Sequence, residues 1–541
     1  MKAAWIAIRF VGALSSLSRA QEAAVAPSAD GVEQGATGQG AGRQDTDRED
    51  LTKEVRELRE IVRELQAKVA RLDGGQARGS ATPVEAVAAL TKSVPELERQ
   101  NLVPSGAVAS TTAPAEPAAE TKPAEPFAFA DWTWMNGNAR TKDSPLDTKF
   151  FTAEVRADVG YVYDFNNPKD DTIGGSSEVF RSKEVHVTQL GVGGDFHYDN
   201  VRARLMTQFG LYSQTTPRND ASPSRGQWNL DNAYRYVSEA YGGYHFNKLH
   251  GVNVDAGIFM SYIGLFSYYN FDNWAYQPSY VSSNTPWFFN GVRVQIFPTA
   301  KLKIEPWFIN GWQSYGRFNG RSGVGGQINW RPNGSVSIIS NNYGVGADTL
   351  GVPTRTRLHT DNSIEVKYFD RPENFLDKAA FSLTGDAGCE TGGGVSCLGS
   401  RNAPKQSFLG YMIYNRLWFQ HDRYGLTLGG GRINNPGRYL VLLPPINGAT
   451  ATSGTPYFTT NPGAPYKAWD VSGTFDYMPS QYITFRWEFN HRAANVPYFS
   501  GSGGITPAGG NTGPAGSVVP GFTPDLRKTE NRINLALLVK F

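Results

Sequence analysis

Charged residues recur at every second position in several strand-length stretches of this sequence. In QYITFRWEFNHR, Arg486, Glu488 and Arg492 alternate with Phe485 and Trp487. Successive side chains of a strand point to opposite faces, so one face of this stretch is charged and the other apolar. A row of charges can attract or repel ions along its length, which a single charge cannot do.

The same alternation assigns eighteen charged residues to one polar face of the predicted strands. If the apolar face meets lipid, these residues point into a wet interior, where charges are tolerated. Basic residues outnumber acidic ones by 11 to 7 in this set, which predicts a weak preference for anions. Salt bridges that only brace the wall are the alternative for any single residue. The set is Glu154, Arg156, Asp158, Arg202, Arg204, Arg235, Glu239, Arg293, Lys301, Lys303, Glu305, Asp361, Glu365, Lys367, Arg416, Arg486, Glu488 and Arg492.

Catalytic and metal-binding motifs do not emerge from the sequence. It contains no GxSxG, HExxH, CxxC or P-loop motif. The seven histidines are scattered, and only His197 and His421 have an acid close by, in predicted short turns. We therefore predict no enzyme activity and no cofactor, with an outer-membrane enzyme as a less favoured alternative.

Cys389 and Cys397 are the two cysteines of the chain, and they flank ETGGGV in a predicted long loop. In an oxidising compartment, two cysteines across a flexible glycine run most simply form a disulfide that closes the loop. A metal site would need further cysteines or histidines nearby, and the sequence has none there.

The most aromatic stretch is SYIGLFSYYNFDNWAYQPSYVSSNTPW, which contains the third predicted long loop, residues 263 to 286. Its length and position suit a loop that folds inward and narrows a pore. The alternatives are an interfacial aromatic girdle and stacking of the rings on sugars. The candidate residues are Tyr268, Tyr269, Phe271, Asp272, Trp274 and Tyr276.

Strands and turns must position these residues. The chain of 541 residues has 59 glycines, 25 tyrosines, 30 phenylalanines and 12 tryptophans, a composition typical of many short strands and turns. No run of 18 apolar residues occurs, so a helical membrane span is not predicted. From Phe151 onward, short turns alternate with long loops, which predicts an all-β, transmembrane antiparallel barrel of about 16 strands.

The region before the barrel divides into five predicted parts. Leu51, Val55, Leu58, Val62 and Leu65 continue into a seam spaced by four and three residues, as in a coiled coil, although an amphipathic helix packed elsewhere is the alternative. The aromatic stretch FAFADWTWMNGN is interpreted as a short strand, a periplasmic patch or a plug, in that order. The parts are a signal peptide at 1–20, a flexible segment at 21–49, a coiled coil at 50–73, an Ala/Pro-rich linker at 74–126 and an aromatic segment at 127–150, before a barrel at 151–541.

The chain resembles the OmpL-like family of bacterial β-barrel porins. The resemblance rests on stretches such as DWTWMNGNART, LDTKFFTAEVRADVGY and KLKIEPWFINGWQSYG, and it runs from about Phe127 to the end. It implies an outer-membrane barrel and a channel, without identifying a solute. The terminal Phe541, after alternating apolar residues, is similar to the signal by which the barrel-assembly machinery recognises its clients.

Together these features predict a porin-like channel for passive diffusion of small hydrophilic solutes, in contact with outer-membrane lipid. The coiled coil, placed in the periplasm, predicts a homo-oligomer, and a trimer is the expected state. A barrel that only anchors an envelope tether is the main alternative, and a substrate-specific receptor is a weaker one. The net charge of +2, without a basic tract, does not favour nucleic-acid binding.

Overall fold

The computed structural model describes residues 125–541, apart from 174–178, 218–219, 221–225, 284, 318–320, 345–353, 436–465 and 504–524. The predicted signal peptide, flexible segment and coiled coil, and the linker up to residue 124, lie outside the described residues. Within the described residues, no helix is both long enough and apolar enough to cross a bilayer.

Sixteen antiparallel strands form a closed barrel. The first eight barrel strands are β1 (Phe151–Asp164), β2 (Val185–Tyr198), β3 (Val201–Thr207), β4 (Val237–Phe246), β5 (Val252–Met260), β6 (Phe288–Thr299), β7 (Leu302–Ile309) and β8 (Gly323–Asn333). The other eight are β9 (Val336–Gly344), β10 (Thr356–Asp370), β11 (Leu376–Thr391), β12 (Ser407–Phe419), β13 (Tyr424–Asn435), β14 (Tyr466–Ser480), β15 (Ile483–Ala494) and β18 (Thr529–Lys540).

The last strand closes the barrel on the first. β18 pairs with β15 on one side and with β1 on the other, with Arg156 opposite Lys540 and Asp164 opposite Arg532. The pairing of β18 with β1 leaves no strand edge in the barrel, as a membrane requires of a sheet. The predicted count of about 16 strands and the predicted closure are both confirmed.

Strand alternation separates an outer apolar surface from a polar interior. On β18, Ile533, Leu535 and Leu537 are exposed on the outer surface, whereas Arg532 and Asn534 are only 1% exposed. The same pattern in β1 and β15 follows the alternation read from the sequence.

Short turns lie at one end of the barrel and long loops at the other, in the order that the sequence predicts. We call these the short-turn end and the long-loop end. The third long loop, residues 261–287, is L3, and it contains a 3-10 helix at Asn270–Asp272 and helix α3 at Tyr280–Ser283. The second long loop, residues 208–236, contains helices α1 (Tyr212–Thr215) and α2 (Leu230–Tyr234). The last loop contains a small two-stranded sheet, β16 (Phe499–Ser500) with β17 (Leu526–Arg527).

One predicted loop begins later than the sequence indicated. The glycine-rich stretch from residue 386 reads as loop, yet β11 continues to Thr391. Both neighbours pair with it there, since Asp386 is opposite Asp361 of β10 and Gly410 of β12. Pairing on both sides outweighs the weak strand propensity of glycine.

The segment before the barrel does not form the strand that we ranked first. Residues 127–143, which we call the entrance segment, consist of turns and a 3-10 helix at Thr133–Met135. Trp134 is only 1% exposed, and Asn138 and Ala139 are fully buried. Burial of these side chains favours the plug, the interpretation that we ranked last.

Candidate permeation pathway

Sixteen of the eighteen predicted charged residues lie on strands with their side chains on the inner face. The other two lie outside the strands. Lys301 lies in the turn between β6 and β7, where its Nζ donates to Pro332 O at 2.8 Å. Arg235 follows α2 and precedes β4. Periodicity predicted that both residues lie on the inner face of strands, but it could not fix where the strands begin, and β7 begins at Leu302 and β4 at Val237.

Charged residues of the wall near β1–β4 bind one another. Arg204 donates to three carboxylates, at 2.9 Å to Glu154, 2.7 Å to Asp195 and 2.8 Å to Glu239. Arg156 also pairs with Glu154. One guanidinium has five N–H donors in a fixed fork, which suits it to bridge several acids.

The same kind of network continues along β3–β7. Asp255 Oδ1 lies 3.2 Å from Arg202 Nε, and Asp255 Oδ2 accepts from Arg293 at 2.9 Å. Lys303 pairs with Glu305 at 2.9 Å. We call the inner face of β2–β7 the paired wall, because its charges are neutralised mainly by neighbouring wall residues.

A cavity of about 650 Å³ lies beside the paired wall at the short-turn end. Lys149, Asp195, His197, Arg202 and His245 are among its lining residues. The cavity is therefore lined by ionisable side chains of both signs, as a route for hydrophilic solutes would be.

The opposite wall, formed by β12–β15, uses its charges to hold L3. Asp476 accepts from Arg416 at 2.7 Å and from Arg486 at 2.7 Å, and all three side chains are fully buried. The remaining donors of Arg486 reach the backbone oxygens of Asn270 at 3.0 Å and Asn273 at 2.7 Å. We call this inner face the anchoring wall.

Acidic residues of the anchoring wall complement these arginines. Glu488 accepts from the backbone N–H groups of Tyr276 at 2.6 Å and Gln277 at 2.8 Å. Arg492 donates to Pro278 O at 2.7 Å. Backbone groups buried inside a protein need partners, and here the wall supplies both donors and acceptors. Arg416 also donates to Trp274 O of L3 at 3.3 Å. Four predicted pore-lining residues, Arg416, Arg486, Glu488 and Arg492, are thus loop anchors.

The candidate residues of L3 also reach towards β1, β4 and the second long loop. The hydroxyl of Tyr276 donates to Asp158 at 2.9 Å, and that of Tyr269 donates to Glu239 at 2.8 Å. The hydroxyl of Tyr268 donates to Gln208 at 2.5 Å. L3 therefore contacts walls on both sides of the barrel.

Asp272 ties L3 to the closing strands by charge. Its carboxylate lies 2.7 Å from Arg156 of β1 and 3.2 Å from Lys540 of β18. Burial raises the pKa of the Asp272 carboxyl, but the two cations lower it more, and the pKa falls to about 2. Asp272 is thus ionised over the physiological pH range.

The two remaining aromatic candidates of L3 pack against apolar side chains. Trp274 makes an edge contact with Trp418, with ring centroids 5.6 Å apart. Phe271 belongs to a buried cluster with Val162 and Leu538. These rings are covered, so the structure does not offer them as an open surface for stacking.

Three of the predicted charged residues, Asp361, Glu365 and Lys367, lie on β10. Asp361 is fully buried and accepts from Asn341 at 3.1 Å. Glu365 is buried as well, and Lys367 pairs with Asp370 at 2.5 Å. Within the part of the chain that the structure describes, no group of three or more His, Cys, Asp or Glu side chains could hold a metal ion.

Cys389 and Cys397 form a disulfide, with their Cα atoms 5.1 Å apart. Cys389 lies at the end of β11, and Cys397 lies in the loop that follows. At the other end of the barrel, Phe541 stacks on Tyr482 with ring centroids 5.3 Å apart.

Several inward acids were absent from the predicted set. They include Asp164, Asp195, Asp255, Asp386, Asp470 and Asp476, and each lies at an alternate strand position that the same periodicity could have marked. Inward bases were absent as well, among them Arg331 and Lys540. Two omitted arginines pair with omitted glutamates, Arg357 with Glu390 and Arg532 with Glu530.

A family model described as "Putative beta-barrel porin-2, OmpL-like" matches residues 151–518. No curated protein matches the chain.

Among solved structures, the chain is similar to OmpT of Vibrio cholerae, with 12% identity over 73% of this chain and 99% of that chain, at a TM-score of 0.40. It is similar to an anion-selective porin from Comamonas acidovorans, with 10% identity over 72% and 99% of the two chains, at a TM-score of 0.40. It is also similar to the outer-membrane channel DcaP of Acinetobacter baumannii, with 13% identity over 73% and 97%, at a TM-score of 0.40.

Proposed function

Because the chain belongs to the OmpL-like β-barrel porin-2 family, we propose that it is an outer-membrane channel for passive diffusion of small hydrophilic solutes. The resemblance read from the sequence is thereby confirmed, although the family match begins at residue 151 and leaves out the entrance segment. The observation that carries the proposal is a closed 16-strand barrel with apolar residues outside and charged residues inside.

The distribution of charge supports a membrane setting. Arg or Lys on the lipid face of a barrel costs about 2–4 kcal/mol at the bilayer midplane. The outward rows of β18 and β15 instead present Leu535, Leu537, Trp487 and Phe489, all partly exposed. Orientation follows the usual pattern of outer-membrane barrels, with short turns in the periplasm and long loops outside.

L3 is the proposed constriction. Its support is the set of contacts to Asp158 and Glu239 on one side and to Arg486 and Glu488 on the other. A loop held across the interior reduces the free cross-section, and so sets a size limit. The covered rings of L3 give less support to the girdle and the sugar-stacking alternatives.

The weak anion preference remains a prediction. The preference that we expect is smaller than the count of charged residues in the sequence implied. The basic excess counted from the sequence is reduced by further inward acids such as Asp195 and Asp476, and Arg204 and Arg293 are already paired with carboxylates. We expect a reversal potential of anion sign that is close to zero in a salt gradient.

Association into a homo-oligomer also remains a proposal, because the predicted coiled coil lies outside the described residues. A trimer is the expected state. Light scattering of the detergent-solubilised protein, with and without residues 50–73, tests this, and an unchanged mass after the deletion would contradict a role of the coiled coil. We also propose that the barrel-assembly machinery inserts the protein into the membrane.

Planar-bilayer recording tests the function. The purified full-length protein should give stepwise conductance, and liposomes that contain it should swell in small sugars but not in large ones. A heat-denatured sample is the control. Silence of a folded barrel would contradict the channel and favour the anchoring barrel instead.

A further inference from the structure

The entrance segment crosses the short-turn mouth of the barrel from one side to the other. At its start, the N–H of Phe127 donates to Ala300 O of the β6–β7 turn at 2.8 Å. At its end, Asn138 Nδ2 donates to Ser480 O at 3.0 Å and to Thr484 Oγ1 at 3.2 Å, beside the β14–β15 turn. The chain therefore spans the opening between two distant hairpins.

Wall residues hold the segment along this path. Arg331 of β8 lies over the rings of Phe127 at 4.6 Å and Trp132 at 4.4 Å. Near the far hairpin, Arg140 donates to the backbone oxygens of Met478 and Pro479, each at 2.8 Å. Contacts at both ends and in between fix the segment in the mouth rather than beside it.

The segment meets L3 inside the barrel. The N–H of Gly137 donates to Asp272 O at 2.9 Å, and Gly137 O accepts from Arg416 at 2.6 Å. A Cβ on Gly137 would lie 2.4 Å from the backbone oxygens of Phe271 and Asn273, so only glycine fits this approach. Trp134 packs in one buried cluster with Trp274 of L3 and Trp418 of β12.

The covered and uncovered parts of the mouth differ. The segment runs from the β6–β7 turn past Gly334 in the β8–β9 turn to the β14–β15 turn, and so passes along the β8–β13 side. The cavity of about 650 Å³ lies on the other side, beside β2–β4. The entrance segment and the cavity therefore lie on different sides of the mouth.

From this arrangement we infer that the entrance segment is a second size-determining element, in series with L3, and that it directs small polar solutes through the cavity bordered by Lys149, Asp195 and Arg202. The inference rests on the proposed channel function. The two restrictions are connected, because Gly137 joins the segment to Asp272, the L3 residue that Arg156 and Lys540 hold.

Deletion of residues 127–140 tests the inference in planar bilayers, with the full-length chain as reference. We expect the single-channel conductance to rise about twofold or more, because conductance follows the free cross-section. Larger polyethylene glycols should then enter from the short-turn side. A conducting deletion variant beside a silent full-length chain would overturn the inference, because the segment would then close the barrel rather than direct solutes through it.

Unchanged conductance after the deletion would overturn the inference and leave the channel function standing. Silence of both proteins would overturn both. The deletion variant could fail to fold, so a matched pair of point variants gives a second test. Trp134→Ala removes a ring buried in the mouth, whereas Phe129→Ala removes one that is 41% exposed at its rim.

We expect about 1.5-fold higher conductance for Trp134→Ala and no change for Phe129→Ala, since only the first changes the free cross-section. Equal conductance in the two variants and the full-length chain would overturn the inference. Gly137→Ala adds a further contrast with Gly242→Ala. The new Cβ meets L3 backbone in the first case and nothing within 4 Å in the second, so only Gly137→Ala should alter the conductance.

Discussion

The paired wall and the anchoring wall use the same residue types in different ways. On the paired wall, Arg204 and Arg293 bind carboxylates of neighbouring strands beside a cavity. On the anchoring wall, Arg486 and Arg492 are completely buried and donate to backbone oxygens of L3. An alternating row of charges therefore does not show whether it borders water or holds a loop. That distinction depends on which group each charged side chain contacts.

Removal of an anchoring arginine should have the largest effect. Arg486→Ala removes two hydrogen bonds to L3 and leaves Asp476 with one arginine partner. Breaking a buried ion pair typically costs about 3–5 kcal/mol, so we expect a loss of that size in the free energy of unfolding. Urea denaturation of the protein in lipid vesicles, followed by tryptophan fluorescence, measures it.

Arg202→Ala is the matched control on the paired wall. Its side chain is 30% exposed, and Arg293 still neutralises Asp255 after the change. A partly exposed ion pair contributes at most about 1 kcal/mol. Equal losses in the two variants would contradict the distinction between the walls.

The disulfide should contribute less than the anchoring arginines, because it closes a short loop outside both walls. A separation of eight residues between Cys389 and Cys397 predicts about 2 kcal/mol. The double variant Cys389→Ser, Cys397→Ser should lower the free energy of unfolding by that amount and keep the conductance. A change in conductance would mean that the loop reaches the pathway.

Ion selectivity should also distinguish the paired wall from the anchoring wall. Arg204→Gln leaves Glu154, Asp195 and Glu239 without their shared cation. A charge at about 4 Å in water is worth about 1 kcal/mol, so the cation-to-anion permeability ratio should rise about fivefold. Arg492→Gln, at a covered position, should leave the reversal potential unchanged. The same shift in both variants would show that Arg492 also borders the pathway.

Acid should weaken the ion pairs of Asp272 in L3 with Arg156 and Lys540. The pKa of Asp272 falls to about 2 in the folded chain, below its ordinary value of 3.8, so the carboxylate stabilises the fold above pH 4. That contribution is lost as the pH falls through 2. A pKa lowered from 3.8 to about 2 corresponds to about 2 kcal/mol, so Asp272→Asn should cost about 1–2 kcal/mol at pH 7. The cost should persist at pH 5, and its disappearance there would contradict the lowered pKa.

Most of the barrel could be predicted from the sequence. Alternation such as that of Ile533, Leu535 and Leu537 reports one lipid-facing surface directly, and turn spacing reports the order of strands. The end of β11 was predicted too early because glycines at 385 and 388 conceal a strand that is held by pairing on both sides. Local propensity cannot report such tertiary pairing.

The site was predicted less completely than the fold. Periodicity placed Glu488 on the inner face, but it could not show that the carboxylate binds the N–H groups of L3, 211 and 212 residues away in sequence. The position of the entrance segment was missed for the same reason. Trp134 and Gly137 carry no periodic signal, and their places depend on L3 and β12.

The path of the entrance segment has a consequence for folding kinetics. Asn138 and Thr484 are 346 residues apart in sequence, so the segment can dock only when the last hairpins have formed. Contacts of such long range form slowly. Burial of Trp134 should therefore be a late, separate phase of refolding, which fluorescence would detect and which Trp134→Phe would remove. The barrel would pass through a transient state with its short-turn mouth still open, in which the cavity beside β2–β4 is continuous with the rest of the interior.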